Sequence, residues 1–214
     1  DSNLSKKYDQ LLLHRNNKNY SEFVILLSDF FNELNYKYLT VKFTKNYKVS
    51  DFHLLKIANM KNTSTIFILR NPMDIYISEQ KADKIKVWKS VDTTEMKIEV
   101  NPNKFLSFYK QLMEFYQNSY KIFSQNNHIK IITYDEIYNN SNNWQDNVID
   151  LFNNITHQNN FKEYHSDSKF IKQDKSKNWR DKVTNPIQID DFISNNQEVY
   201  IESEEIKKIL LNTN

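Results

Sequence analysis

Residues 65–69, Thr-Ile-Phe-Ile-Leu, form an apolar run that stops at Arg70-Asn71-Pro72. The residues beyond it recur at helical spacing. A β-branched run of this length, cut off by an X-Pro step, predicts a buried strand that turns straight into a helix. Arg70 then stands at the strand's carboxyl end and Pro72 in the first turn of the helix. Ser78 lies eight residues beyond Arg70, about two helical turns on. A guanidinium and a hydroxyl converging at the end of a buried strand suit a phosphate.

The rest of the chain alternates in the same way. Residues 4–14 and 20–34 read as helices, the second with Phe23, Leu26, Leu27, Phe30, Phe31 and Leu34 on one face. Residues 38–44 read as a strand, 51–60 as a helix capped by Ser50 or Asp51, and 71–87 as the helix after Arg70. An irregular stretch containing Trp88 runs to Pro102. The longest helix follows over 102–125, then a strand at 129–134, an Asn-rich loop at 139–143 and a helix at 143–153. Strands alternating with helices predict an α/β fold, a central parallel sheet with helices on both faces, in a single domain over 1–214.

Composition narrows the function classes. The chain has 214 residues, with 14 Phe, 13 Tyr and 3 Trp available for a core, and a net charge of +2 gives no case for a nucleic-acid partner. The absence of Cys excludes a disulfide scaffold, thiolate metal ligands and a Cys nucleophile. No two His residues share a helical face with an acid, so no metal site is expected. No apolar run has the length of a membrane span, and a cytoplasmic setting is the expectation. Gly is absent as well, where average usage would give about 15. Loops that cradle phosphates normally need Gly for close backbone approach.

Arg70-Asn71-Pro72-x-Asp74-x-x-x-Ser78 after an apolar strand resembles the 3′-phosphate-binding segment of sulfotransferases that use 3′-phosphoadenosine 5′-phosphosulfate (PAPS). A second segment, residues 129–137 ending in Tyr134-Asp135-Glu136-Ile137, resembles the family's strand ending in Tyr-Glu-Asp-Leu, with Leu151-Phe152 at the end of the following helix. A third, residues 170–181, resembles the basic segment that closes over the nucleotide, with Trp179-Arg180 in place and Lys177-Asn178 where Gly-Asp is usual. Ser78-Glu79-Gln80-Lys81-Ala82 through Val87-Trp88, then Val100-Asn101-Pro102 into the long helix, is similar to bacterial nodulation-factor and trehalose-type carbohydrate sulfotransferases, as is Lys172-Gln173-Asp174.

The resemblance implies a P-loop-like architecture, PAPS as donor, 3′,5′-adenosine bisphosphate as product, no metal, and a carbohydrate or similar small hydroxyl acceptor. It implies that Arg70 and Ser78 grip the 3′-phosphate and that Lys172, Lys175, Trp179 and Arg180 close over the nucleotide. Lys42 matches a family Lys facing the reaction centre. Thr44 stands where the cytosolic members carry the catalytic His, which leaves His53 as the nearby candidate base. No Gly-containing phosphosulfate loop occurs in the chain. Either this loop lies upstream of Asp1 or the chain has lost it; the alternative reading of function is a non-catalytic nucleotide- or protein-binding relative of the same fold.

Overall fold

The computed structural model describes residues 2–16, 22–23, 25–27, 29, 51–59, 64–87, 91–125, 128–138, 144–156 and 178–212. The predicted strand at 38–44, Trp88, and the basic residues Lys172 and Lys175 lie outside the described residues. The elements are α1 (Ser2–Asn16), α2 (Asp51–Ala58), β1 (Ser64–Leu69), α3 (Pro72–Ile85), α4 (Pro102–Ser124), β2 (His128–Thr133), α5 (Tyr134–Tyr138), α6 (Trp144–Thr156), a 3-10 turn (Trp179–Lys182), α7 (Pro186–Ser194) and α8 (Ser203–Leu211). Residues 22–23, 25–27 and 29 are also helical.

Among the described residues the fold is mixed α/β, with β1 and β2 paired in parallel as a two-stranded sheet. The chain divides into two compact units, one of Asp1–Thr65 with Phe115–His128 and one of Ile66–Glu114 with Ile129–Asn214. In the first, Leu11, Leu54, Ile57, Tyr116, Tyr120 and Phe123 are buried. The second carries the Arg70 junction and is described further.

β1 forms where β-branched and aromatic residues alternate on a pleat. Phe67 and Leu69 are buried while Ile68 keeps 50% of its surface. The strand is therefore covered unevenly, unlike the fully buried strand that its composition predicts. Ile66 packs against a cluster of Ile132 from β2, Ile137 from α5 and Leu151 from α6. Asn147 on α6 donates to the Ile137 carbonyl at 2.7 Å, which fixes α6 on the end of α5.

α3 begins where the Asn-Pro step predicts and ends at Lys86, whose φ of 57° is left-handed. That conformation usually falls to Gly; in a chain without Gly, Lys86 takes it at a cost of roughly 1 kcal/mol. Tyr76 on α3 meets Phe105 and Phe108 of α4 edge to face, with ring centroids 5.6 and 5.2 Å apart. Lys81, also on α3, is buried and donates to the Thr93 carbonyl at 2.9 Å. The Tyr109 hydroxyl donates to the Glu198 carbonyl at 3.1 Å and accepts from Tyr200 N–H at 3.0 Å, fastening the loop before α8 to α4.

Residues 98–100 and 182–185 are zipped together. Ile98 and Val183 form a parallel bridge, with Ile98 N–H donating to Lys182 O at 3.2 Å and Thr184 N–H to Ile98 O at 2.9 Å. Asn185 extends the zipper with its side chain: Val100 N–H donates to its Oδ1 at 3.0 Å, and its Nδ2 donates to Val100 O at 2.9 Å. None of the described helices is long and apolar enough to cross a membrane.

Candidate functional site

The two parallel strands end side by side, and each ends in a residue that can meet a ligand. Arg70 follows β1 and Tyr134 follows β2. The half-buried Arg70 guanidinium lies over the Tyr134 ring, 5.1 Å from its centroid. Among the described residues it has no carboxylate partner. Stacking on the ring holds the plane of the guanidinium while leaving its in-plane N–H groups for an acceptor. The carboxyl ends of parallel strands are where open α/β sheets take their ligands.

The start of α3 is closed by its own cap. Asn71 Oδ1 accepts from Met73 N–H at 2.9 Å and Asp74 N–H at 3.3 Å, and Pro72 has no N–H to offer. The backbone donors that a helix start could present to an anion are therefore engaged, and Arg70 is the donor group this junction leaves available. Ser78 is exposed in the second turn of α3. No hydrogen bond joins it to Arg70 among the described residues.

The 3-10 turn is drawn to this junction by charge. Lys182 Nζ and Asp74 Oδ1 are 2.7 Å apart, with side-chain exposures of 6% and 19%. Asp74 lies in the first turn of α3, four residues beyond Arg70. The pair fastens two segments 108 residues apart in sequence. Spacing alone does not reveal it, because Lys182 sits among other basic residues and Asp74 reads as an ordinary helix-start acid.

Trp179 is buried, and its Nε1–H has no acceptor among the described residues. The Arg180 guanidinium stacks on its ring at 4.7 Å. Arg180 also grips Asp190 with two bonds, Nε to Oδ2 at 2.9 Å and Nη2 to Oδ1 at 2.6 Å. The Asp190 carboxylate raises the already high pKa of Arg180. An open depression of about 620 Å³ is lined by Lys97, Arg180, Thr184, Ile187 and Asp190, among others.

The structure thus brings Arg70, Asp74, Trp179, Arg180 and Lys182 into one unit. Lys42, Lys172 and Lys175 lie outside the described residues, as does the side chain of His53. His53 itself lies on α2 in the other unit. Among the described residues no three His, Asp or Glu side chains gather as a metal site requires.

At the end of β2, Thr133 and Glu136 form a reciprocal capping box. Glu136 N–H donates to Thr133 Oγ1 at 3.2 Å, and Thr133 N–H donates to the Glu136 carboxylate. Lys207 of α8 adds a bond to Glu136 at 2.8 Å. The Tyr134-Asp135-Glu136-Ile137 segment is therefore held by its own capping box and by Lys207.

Comparison with known protein families, with curated proteins and with solved structures finds no match.

Proposed function

We propose that the chain binds a 3′-phosphorylated adenine nucleotide at the β1–α3 junction. In this reading it is a PAPS-dependent sulfotransferase acting on a hydroxyl of a carbohydrate or similar small acceptor, on a central parallel sheet flanked by helices. One observation carries the reading. A half-buried guanidinium stands at the carboxyl end of a parallel strand, stacked on Tyr134, with no acid beside it among the described residues. That Arg belongs to the segment resembling the family's 3′-phosphate site.

The 3′-phosphate is held by Arg70 through charge-assisted bonds, with the Ser78 hydroxyl as second donor. Arg180 approaches from the turn that Lys182 fastens to Asp74, and Lys172 and Lys175 precede it in the chain. Trp179, buried beneath Arg180, anchors that turn. Bound PAPS supplies the sulfuryl group, which passes to the acceptor oxygen as its bond to the 5′-phosphate breaks and the hydroxyl proton leaves to a base. For that step the family resemblance offers Lys42, and His53 is the histidine nearest in sequence to the position of the family's base.

A second reading, a non-catalytic relative that binds nucleotide or protein, is favoured by one feature: Asn71 occupies the amides at the start of α3.

Calorimetric titration with 3′,5′-adenosine bisphosphate, with 5′-AMP as control, tests the site. The bisphosphate should bind in the micromolar range and 5′-AMP far more weakly. Arg70→Ala should cost roughly 2 kcal/mol, about a 30-fold loss of affinity, with the fold retained. Equal affinities in the wild type and the variant would sink the assignment. Transfer of labelled sulfate to a sugar acceptor separates the enzyme from the binding relative.

A further inference from the structure

Of the two described guanidinium groups of the proposed site, Arg70 and Arg180, the second already holds a carboxylate. Its Nε and Nη2 point at the two oxygens of Asp190, at 2.9 and 2.6 Å. That fork is the arrangement by which Arg receives a phosphate. The pair is solvent-facing, with side-chain exposures of 47% and 38%, so water and a competing anion can reach it. The turn bearing Arg180 is held to the first turn of α3 by the buried Lys182–Asp74 pair. Arg180 can therefore change partner without the turn leaving its place.

The groups around Arg180 decide which way Asp190 acts. Among the described residues, Asp181 and Asp190 line the same depression as Lys97 and Arg180, two charges of each sign, and Glu202 adds a further negative field at Arg180. A phosphate approaching this guanidinium meets the Asp190 carboxylate as a competitor for its two N–H donors. Were Asp190 merely a brace that orients Arg180, its loss would weaken anion binding. As a rival for the same donors it does the opposite, and the two bonds it already makes to them favour the rival.

We infer that Asp190 is a positioning residue that holds Arg180 in reserve: its carboxylate occupies the guanidinium until a phosphate of the bound nucleotide displaces it. The inference rests on the nucleotide reading given above. It makes Asp190 the setting that keeps resting affinity low, with Trp179 holding the guanidinium plane during the exchange.

The experiment is a calorimetric titration of 3′,5′-adenosine bisphosphate into the full chain and its Asp190→Asn, Arg180→Ala, double Asp190→Asn/Arg180→Ala and Arg70→Ala forms. The exchange predicts that Asp190→Asn tightens binding about three- to five-fold, the scale of an exposed ion pair, and that the gain vanishes when Arg180 is also removed. Because the pair is exposed, the Asp190→Asn fold should melt close to the wild type. Unchanged or weaker binding by Asp190→Asn, with Arg70→Ala still impaired, overturns the role of Asp190 and leaves the nucleotide site standing. A gain that persists without Arg180 also overturns it, since the effect would then be general charge. Absence of binding in every form overturns both readings together.

Discussion

Three helices of this chain, α3, α4 and α7, begin with Asn-Pro, and two of them, α3 and α7, use it differently. At Asn71-Pro72 the Asn side chain turns inward to its own helix and accepts from Met73 and Asp74 N–H. At Asn185-Pro186 it makes no such bond to α7 and reaches across the fold to both backbone groups of Val100. In both, Pro supplies the preset first-turn φ. What differs is whether the neighbouring segment already has its backbone partners. Residues 98–100 bridge to 182–184 through Ile98, and Val100 would lack partners at the zipper's end without the Asn185 amide. The first start is a local device and the second a long-range one, and only the local one follows from spacing along the chain.

The α3 start has its own long-range tie through Asp74, and breaking that tie should have the largest effect. Lys182→Ala leaves Asp74 as a mostly buried charge without its cation and should cost about 3 kcal/mol, read by urea denaturation. A loss below 1 kcal/mol would mean that the Asn71 cap alone secures α3.

Next in size is the Asn185 amide. Asn185→Ala strands the N–H and C=O of buried Val100 and should cost about 2 kcal/mol, whereas Asn71→Ala removes a cap worth about 1 kcal/mol. Substitution by Asp separates the two roles more sharply. A carboxylate caps a helix as well as an amide does, so Asn71→Asp should be near neutral. Asn185→Asp keeps an acceptor for Val100 N–H but turns a donor into a second acceptor facing Val100 O, and should cost about 1–2 kcal/mol. Equal penalties for the two Asp variants would erase the distinction.

The smallest effect belongs to a third kind of start, the Thr133–Glu136 box, which has neither Asn nor Pro. Burial opposes ionisation of Glu136, but Lys207 and the Thr133 N–H outweigh it, so its carboxyl titrates below the usual 4.5. A carboxylate with a lowered folded-state pKa stabilises the fold above its unfolded pKa. That contribution fades as pH falls through the folded value. Glu136→Gln should therefore flatten the loss of stability below about pH 4.5. With 45% of the side chain exposed, the change at neutral pH should stay under about 1 kcal/mol. Melting curves from pH 3 to pH 7 would show it.

How far the sequence could be read follows the same division. The β1–α3 junction was legible to within a residue because apolar run, Asn cap and Pro succeed one another locally. The long helix from Pro102 was legible because its aromatic residues recur at helical spacing. The Arg70–Tyr134 stacking was not, since it depends on two strands that pair in parallel some 60 residues apart. The Asp74–Lys182 pair was hidden for the same reason. Trp179 reads in sequence as one of the residues that close over the nucleotide, and spacing gives no sign that it lies buried under the Arg180 guanidinium. Residues 183–212 gave no reading at all, although Asn185-Pro186 repeats the signal used at 71–72 and 101–102. Ile68 shows the limit of composition: a β-branched residue in an apolar run still keeps half its surface.

Every Pro of this chain follows an Asn, at 71–72, 101–102 and 185–186, and that pairing shields those three asparagines from one route of chemical ageing. Asparagine decays to aspartate when the next residue's backbone nitrogen attacks its side-chain carbonyl, and a proline nitrogen carries no hydrogen to give up in closing that ring. Chemical time would otherwise perform the Asn185→Asp substitution unaided and open the zipper at Val100. The amide that fastens residues 98–100 to 182–185 is thus followed by the residue that blocks its spontaneous conversion, and its grip outlasts that of an asparagine in other company.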